Sequence, residues 1–366
     1  MAFSRETYNY RDGRIGIAVD SSPEYGSRPA IWPSVGEYPI YDPYLYYAMS
    51  NDTVRNDAFR AALLPACPGR RVLDIGTGEN VHWALEAARQ GAKSVVALEA
   101  MPGSHAVATE RLARSPEREK VELRYGLSFD HDLDLRADVC VAELIGSFAS
   151  SEGMLAAMAD AHARLLNPGA VVVPAACDTL VAPVSLRELF PAGLAFSSDA
   201  LPYLRQIFDF NGGPFDLRLT VVNPDPSCVL SSGRAVEQLR FDRSEPLDAT
   251  TEVELRIERA GRVDGLLCWI RLDASPGADT TIDSLLDKTN WMPAYLPLFD
   301  ESLAVCEGDV ITVRFERRTS LDGVHPDYLV DATLTRSLGV VAGSFVSYYR
   351  GRSLGTAAVY RELFLS

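Results

Sequence analysis

V-L-D-I-G-T-G-E-N-V-H-W-A-L-E-A-A-R-Q-G-A-K-S-V-V-A-L-E, residues 72–99, holds a short apolar run, a glycine turn, a helical stretch and a second apolar run. Val72 to Ile75 predicts a strand, Gly76-Thr77-Gly78 a tight turn, and Val81 to Arg89 a helix ending near Gly91. Ser94 to Leu98 is the next strand, closed by Glu99. The alternation continues with a helix over Ser104 to Arg114, a strand over Val121 to Tyr125, and an apolar run from Val139 to Ala142. Strand and helix alternating at this spacing predict a parallel, doubly wound sheet.

That last run opens the stretch D-V-C-V-A-E-L-I-G-S-F-A-S-S-E-G-M, Asp138 to Met154, where two carboxylates flank a loop of small residues. Glu143 stands at the exit of a parallel strand, facing the crevice where open α/β sheets bind ligands. Glu152 is expected in the first turn of a helix carrying Met154, Leu155, Met158 and Leu165 and stopped by Asn167-Pro168-Gly169. A negative charge there also suits the helix dipole, which is a sufficient structural reason for it.

The glycine turn lets backbone approach a bound ligand closely. Glu99 follows Gly78 by about twenty residues, where an acid can hold the hydroxyls of an adenosine ribose. Asn80 stands where a dinucleotide fingerprint has its third glycine, and Asp74 precedes the turn. An acid there repels a pyrophosphate and attracts an ammonium, which favours S-adenosylmethionine over a nicotinamide dinucleotide.

At 366 residues and 47% apolar the chain can bury two cores, and no run of about 18 apolar residues spans a membrane. The N-terminus carries no apolar signal segment, so a cytoplasmic protein is expected. Six cysteines and five histidines are scattered without metal-ligand spacing, so no metal is expected. A net charge of -15 and a pI near 4.8 disfavour nucleic acid and anionic membranes and suit a cationic substrate. Lysine occurs only at 93, 120 and 288 while arginine and alanine abound, the bias of a GC-rich bacterial genome.

V-L-D-I-G-T-G-E-N, V-V-A-L-E-A and A-E-L-I-G-S-F-A-S-S-E-G-M-L together resemble the cofactor motifs and double-glutamate loop of the protein arginine methyltransferases. Asp52-Thr53-Val54-Arg55 resembles the helix that closes over the cofactor, and Thr289-Asn290-Trp291 the family's threonine-histidine-tryptophan loop. The resemblance runs in order from about Tyr41 to Arg350. It implies an N-terminal segment and cofactor-covering helix over 1–65, a Rossmann-like class I methyltransferase domain over 66–174, and an antiparallel, β-barrel-like domain over 175–366. A helical dimerisation arm over about 186–213 implies a head-to-tail homodimer.

The resemblance also implies roles. Asp74, Gly76 and Gly78 would line the methionine part of S-adenosylmethionine, Arg55 would pair with its carboxylate, Glu99 would hold the ribose, and Leu127 and Ser128 would lie beside the adenine. Glu143 and Glu152 would grip the substrate guanidinium, Trp291 would close the pocket, and Tyr44 is the chosen cofactor-covering aromatic among several tyrosines. The family's loop histidine is Asn290 here, with Asp52 as its expected hydrogen-bond partner, and Ser147, Ser150 and Ser151 replace aromatics, implying a roomier, more polar pocket. Free L-arginine, or a close relative, is the favoured substrate, in a bacterial specialised pathway, with one methyl added. Arginine within proteins is the alternative, and a nicotinamide-dependent oxidoreductase or an inactive scaffold stand behind it.

Overall fold

The computed structural model describes residues 3–22, 28–34, 43–276, 281–351 and 353–364, the side chains of 43–45 excepted. The chain opens with an antiparallel hairpin, β1 (Phe3–Tyr10) and β2 (Gly13–Asp20), followed by β3 (Ala30–Ser34). Two helices come next, α1 (Pro43–Ser50) and α2 (Thr53–Ala66). Asp52 caps α2 by accepting the Arg55 backbone N–H at 3.0 Å.

The alternating region then forms β4 (Arg71–Ile75), α3 (His82–Arg89), β5 (Ser94–Glu99), α4 (Pro102–Ala113), β6 (Val121–Tyr125), β7 (Ala137–Ala142), α5 (Met154–Asp160) and β8 (Leu166–Val173). Its five strands are all parallel, in the order β6-β5-β4-β7-β8. β4 and β7 are buried on both faces, which is why they read as unbroken apolar runs. The strand order reverses between β4 and β7, so the ligand crevice of such a sheet lies above the ends that carry Asp74 and Glu143.

Two local details differ from expectation. α5 begins at Met154 behind Gly153, whose φ of 80° ends the loop, so Glu152 lies in the loop and not in a helical turn. Asn167-Pro168-Gly169 lies within β8, which accommodates it through a register shift against β7.

The remainder is β9 (Ala176–Val184), α6 (Leu186–Leu189), β10 (Phe196–Ser197), α7 (Leu201–Asn211), β11 (Arg218–Val222), β12 (Arg234–Arg240), β13 (Ala249–Arg256), β14 (Gly261–Val263), β15 (Gly265–Asp273), β16 (Thr281–Asp283), β17 (Ala294–Pro297), β18 (Leu303–Val305), β19 (Val310–Thr319), β20 (Pro326–Arg336), β21 (Gly339–Ser347) and α8 (Ala358–Phe364). A large, mostly antiparallel sheet runs β1-β2-β10-β3-β11-β17-β15-β9-β12, with β16 beside β15, and a four-stranded sheet runs β13-β19-β20-β21. Cys177, Leu239, Ile270 and Leu272 of the large sheet belong to the core of the parallel domain, so the two halves share apolar packing.

The N-terminal strands depart from the expected segmentation. β1, β2 and β3 belong to the large sheet of the second half: β3 pairs with β11, Ile31 opposite Val221, and β2 pairs with β10. The stretch expected to project as a dimerisation arm folds back on the same strands. Tyr203, Leu204, Ile207 and Phe208 of α7 are buried in one core with Ile17, Val19 and Ile31, and the Tyr8 hydroxyl donates to Asp209 at 2.7 Å. α8 closes that core, with Phe364 5.5 Å from the Phe196 ring and 5.5 Å from the Phe208 ring. Burying α7 against the chain's own apolar strands satisfies the face that an arm would offer to a second copy.

Candidate functional site

Three acids converge at the ends of adjacent parallel strands: Asp74 on β4, Glu99 on β5 and Glu143 one residue past β7. The backbone of Gly76 and Thr77 donates to the Leu98 carbonyl at 3.0 Å each, which fixes the turn between the first two. Gly76 has φ 78° and Gly78 φ 67°. A side chain at Gly76 would come within 2.9 Å of Leu144, so the turn needs glycine for both angle and space.

Asp74 is fully buried, and neither carboxylate oxygen has a hydrogen bond of ordinary geometry among the described residues. Burial pushes its carboxyl up to about 7. Glu99 accepts from the Gly78 amide and the Met101 amide, each at 2.8 Å, and burial raises its carboxyl too. A carboxylate has about four acceptor sites, so two amides leave Glu99 able to hold hydroxyls. Gly126, just after β6, donates to the Glu99 carbonyl at 3.0 Å, which sets Leu127 and the buried Ser128 beside it.

Glu143 is pushed up to about 7 by burial, opposed by the Arg55 guanidinium. The Arg55 Nη1 sits 2.8 Å from Glu143 Oε2, with side-chain exposures of 7% and 12%. Arg55 Nη2 donates to the Met49 carbonyl at 2.8 Å, and the guanidinium lies over the Trp83 ring, 5.8 Å from its centre. Expected on a cofactor carboxylate, Arg55 instead compensates Glu143, because the Asp52 cap and the Met49 carbonyl aim its fork at the nearest buried acid. Three buried acids, of which Arg55 pairs with Glu143 alone, make a site that draws further positive charge.

The loop between Glu143 and Glu152 is fastened to the second half at several points. Trp291 Nε1 donates to the Ile145 carbonyl at 2.8 Å, and Ser147 Oγ to the Met292 carbonyl at 2.9 Å. Ser150 Oγ donates to Glu237 at 2.6 Å and meets the Tyr328 hydroxyl at 2.8 Å. Glu237 is itself paired to Arg317 at 2.8 Å, both almost wholly buried, and accepts from Thr179 at 2.6 Å. Of the three serines expected to make the pocket roomier, only Ser147 lines it. Ser150 anchors the loop to a buried ion pair, and Ser151 Oγ donates to the Phe148 carbonyl. Gly146 sits where a side chain would come within 3.2 Å of Glu152 Oε1, so its bareness leaves the second glutamate room.

Asn290 does what its place in the loop suggested. Its backbone N–H donates to Asp52 Oδ2 at 2.8 Å and its side chain to the Ala48 carbonyl at 2.7 Å, bracing α1 and α2 against the second half.

These parts surround a cavity of about 830 Å³. Arg55, Glu143, Glu152 and Trp291 line it together, and Asp74, Gly76, Gly78, Glu99, Leu127 and Ser128 lie outside its lining. The Tyr44 side chain lies outside the described residues. Tyr46 is the aromatic that covers the glycine turn: a side chain at Gly78 would meet its ring at 3.0 Å, and its hydroxyl is 2.9 Å from Ser104 Oγ. The sequence reading missed the opposite wall: Trp32, Pro33 and Ser34 of β3, Tyr203 of α7, Asn223 after β11, and Lys288. Only the rarity of lysine could have drawn attention to the last of them.

No family model matches the chain. Its relatives nevertheless agree. It is 27% identical over 286 residues to an arginine N(omega)-methyltransferase of Streptomyces achromogenes subsp. streptozoticus, covering 74% of this chain and 75% of that protein. It is 30% identical over 158 residues to a probable protein arginine N-methyltransferase 6.1 of Oryza sativa subsp. indica, but spans only 41% of that protein's length. Among solved structures, Arabidopsis thaliana protein arginine methyltransferase 10 superposes with a TM-score of 0.67 at 18% identity, covering 84% of this chain and 99% of that one. A Trypanosoma brucei PRMT1 enzyme-prozyme heterotetrameric complex with AdoHcy gives 0.67 at 17% identity, covering 83% and 98%. By sequence the chain is similar to arginine N-methyltransferases, and it has the fold of the solved protein arginine methyltransferases.

Proposed function

We propose that this S-adenosylmethionine-dependent arginine N-methyltransferase acts on free L-arginine, or a close relative, and adds one methyl to its guanidinium. The observation that carries the choice of substrate is the cavity itself. Its 830 Å³ lies within the usual size of small-molecule pockets, and residues of β3, α7 and the turn after β11 line it together with the two glutamates. Similarity to the Streptomyces arginine N(omega)-methyltransferase, over three quarters of both chains, supports an enzyme of a bacterial specialised pathway.

The residues fit the methyl donor. Asp74 offers a buried carboxylate without a hydrogen-bond partner for its ammonium, the bare glycine turn gives it room, and Glu99 keeps acceptor sites for the ribose. When bound, the donor supplies an electrophilic methyl on a sulfonium. Everything else falls to this chain. A guanidinium carries five donors in a plane, and Glu143 and Glu152 can fix two of its edges. Arg55 holds only one oxygen of Glu143, so the carboxylate can accept a second guanidinium. Holding the reacting nitrogen in place is worth several kcal/mol, on the order of 7–11 at best. A Glu143 carboxyl poised near 7 can also take the proton that the nitrogen sheds.

The test is a mass-spectrometric transfer assay with S-adenosylmethionine and either free L-arginine or an arginine-rich peptide, beside Glu143→Gln. One methyl on free arginine, lost in the variant, supports the reading. Methylation of the peptide alone overturns it in favour of a protein substrate, to which the net charge of -15 is also suited.

A further inference from the structure

We infer that Lys288 is the residue that recognises the α-carboxylate of the amino acid substrate, so that it separates a free amino acid from an arginine within a peptide. The inference rests on the free-arginine reading. Of the cavity's ionisable lining residues, Asp52 is spent on the α2 cap and on Asn290, Arg55 is paired to Glu143, and Glu143 and Glu152 face a guanidinium. Lys288 is the remaining cation of the lining, and among the described residues it makes no ion pair or hydrogen bond.

Its place is fixed although its side chain is exposed. Asp287 donates its backbone N–H to the Asp283 carbonyl at 2.7 Å on one side. On the other, Asn290 is tied to Asp52 and Trp291 to the Ile145 carbonyl. The segment that carries the lysine is thus clamped at both ends, and its side chain joins the cavity wall. Its acidic neighbour Asp287 turns one oxygen back to its own turn, accepting from the Asp283 N–H at 2.8 Å, and makes no ion pair with the lysine among the described residues.

The cavity therefore has acids for a guanidinium and an ammonium for a carboxylate, the charge pattern of a zwitterionic basic amino acid. A peptide-bound arginine presents an amide in place of that carboxylate and gains nothing from the lysine. In a chain with three lysines and 32 arginines, an ammonium here also avoids a second guanidinium that would compete for Glu143 and Glu152.

The experiment compares L-arginine, L-argininamide, agmatine and an arginine-rich peptide as substrates of the wild type and of Lys288→Met, with donor binding measured separately by calorimetry. The wild type should prefer L-arginine by about tenfold or more in kcat/KM, as a charge-assisted contact on an open wall allows. In Lys288→Met that preference should collapse toward one, through KM and not kcat, and Lys288→Arg should restore part of it. An unchanged preference ratio in Lys288→Met overturns the assignment while leaving the free-arginine reading standing. Weakened donor binding in the variant also overturns it, by placing the lysine on the donor. Turnover of peptide without turnover of L-arginine in the wild type overturns both.

Discussion

Replacing Arg55 by methionine should cost stability in a pH-dependent way. The substitution keeps most of the volume and removes the guanidinium that sits 2.8 Å from Glu143 Oε2 and 2.8 Å from the Met49 carbonyl. With side-chain exposures of 7% and 12%, this pair is screened little by solvent. Breaking such a pair by deleting one partner costs about 3–5 kcal/mol when the other remains charged. Glu143 titrates at about 7 even beside Arg55, against an ordinary glutamate value of 4.5. A carboxyl whose folded value is raised destabilises the fold progressively as pH climbs from the unfolded value to the folded one, and no further beyond it. In the variant the folded value moves higher, so the loss continues above pH 7. Below pH 7, Glu143 carries its proton and Arg55 offers it a hydrogen bond worth only about 1 kcal/mol. Urea unfolding followed through tryptophan fluorescence suits the question, since Trp83 lies beneath the guanidinium and stacks on Phe59 at 4.8 Å. A destabilisation of about 3 kcal/mol or more at pH 8.5 should shrink to about 1 at pH 6, with the m-value unchanged. Equal losses at the two pH values would refute the reasoning.

Other variants test other parts. Glu143→Gln should lower kcat/KM by about 100-fold or more while moving the unfolding midpoint little at pH 6, where Glu143 already carries its proton and the amide still accepts from Arg55; a purely structural glutamate would show the reverse. Asp74→Asn should weaken donor binding by about tenfold with little loss of stability, because burial already holds the carboxyl up at about 7 and the amide keeps the shape; calorimetry and thermal unfolding together check both halves. Ser150→Ala leaves Glu237 and Tyr328 each short of a buried partner and should cost about 1–2 kcal/mol, with a rise in KM as the loop loosens; unchanged KM and stability would show that the loop is held elsewhere. Gly76→Ala meets Leu144 at 2.9 Å at a positive φ and should cost about 1–3 kcal/mol and donor affinity together, read by denaturation and titration.

The parallel domain was legible because its signals are local. A parallel strand buried on both faces is an apolar run, a glycine turn needs its glycines in sequence, and Asp74, Glu99 and Glu143 reach one crevice because each ends a strand. The contacts of Asn290 with Asp52 were legible through the same motifs. What escaped reading depends on pairing across long stretches of chain. Nothing in A-I-W-P-S announces that Ile31 will lie opposite Val221, or that Trp32 will line the cavity. The resemblance gave a helical stretch over 186–213 but not the strands that cover α7, and a serine in a loop does not reveal whether it faces a cavity, like Ser147, or a buried glutamate, like Ser150. The pairing of Arg55 with Glu143 escaped because it depends on where the Asp52 cap and the Met49 carbonyl aim the guanidinium, a property of the assembled site.

The sharing of one sheet between the two ends of the chain has a consequence during synthesis. β3 cannot find β11 until residue 222 has left the ribosome, 188 residues after Ser34. At about 5–20 residues per second, that is a wait of roughly 10–40 seconds with an open hairpin edge. Through it the parallel domain, 71–173, can collapse on its own local contacts, while β1 and β2 have only each other. Arg5, Glu6, Arg11 and Arg14 in that hairpin keep its edge charged against pairing with another nascent chain. The substrate wall made by Trp32 to Ser34 is therefore among the last parts of the cavity to be built, and the enzyme gains its pocket only when its beginning and its second half have met.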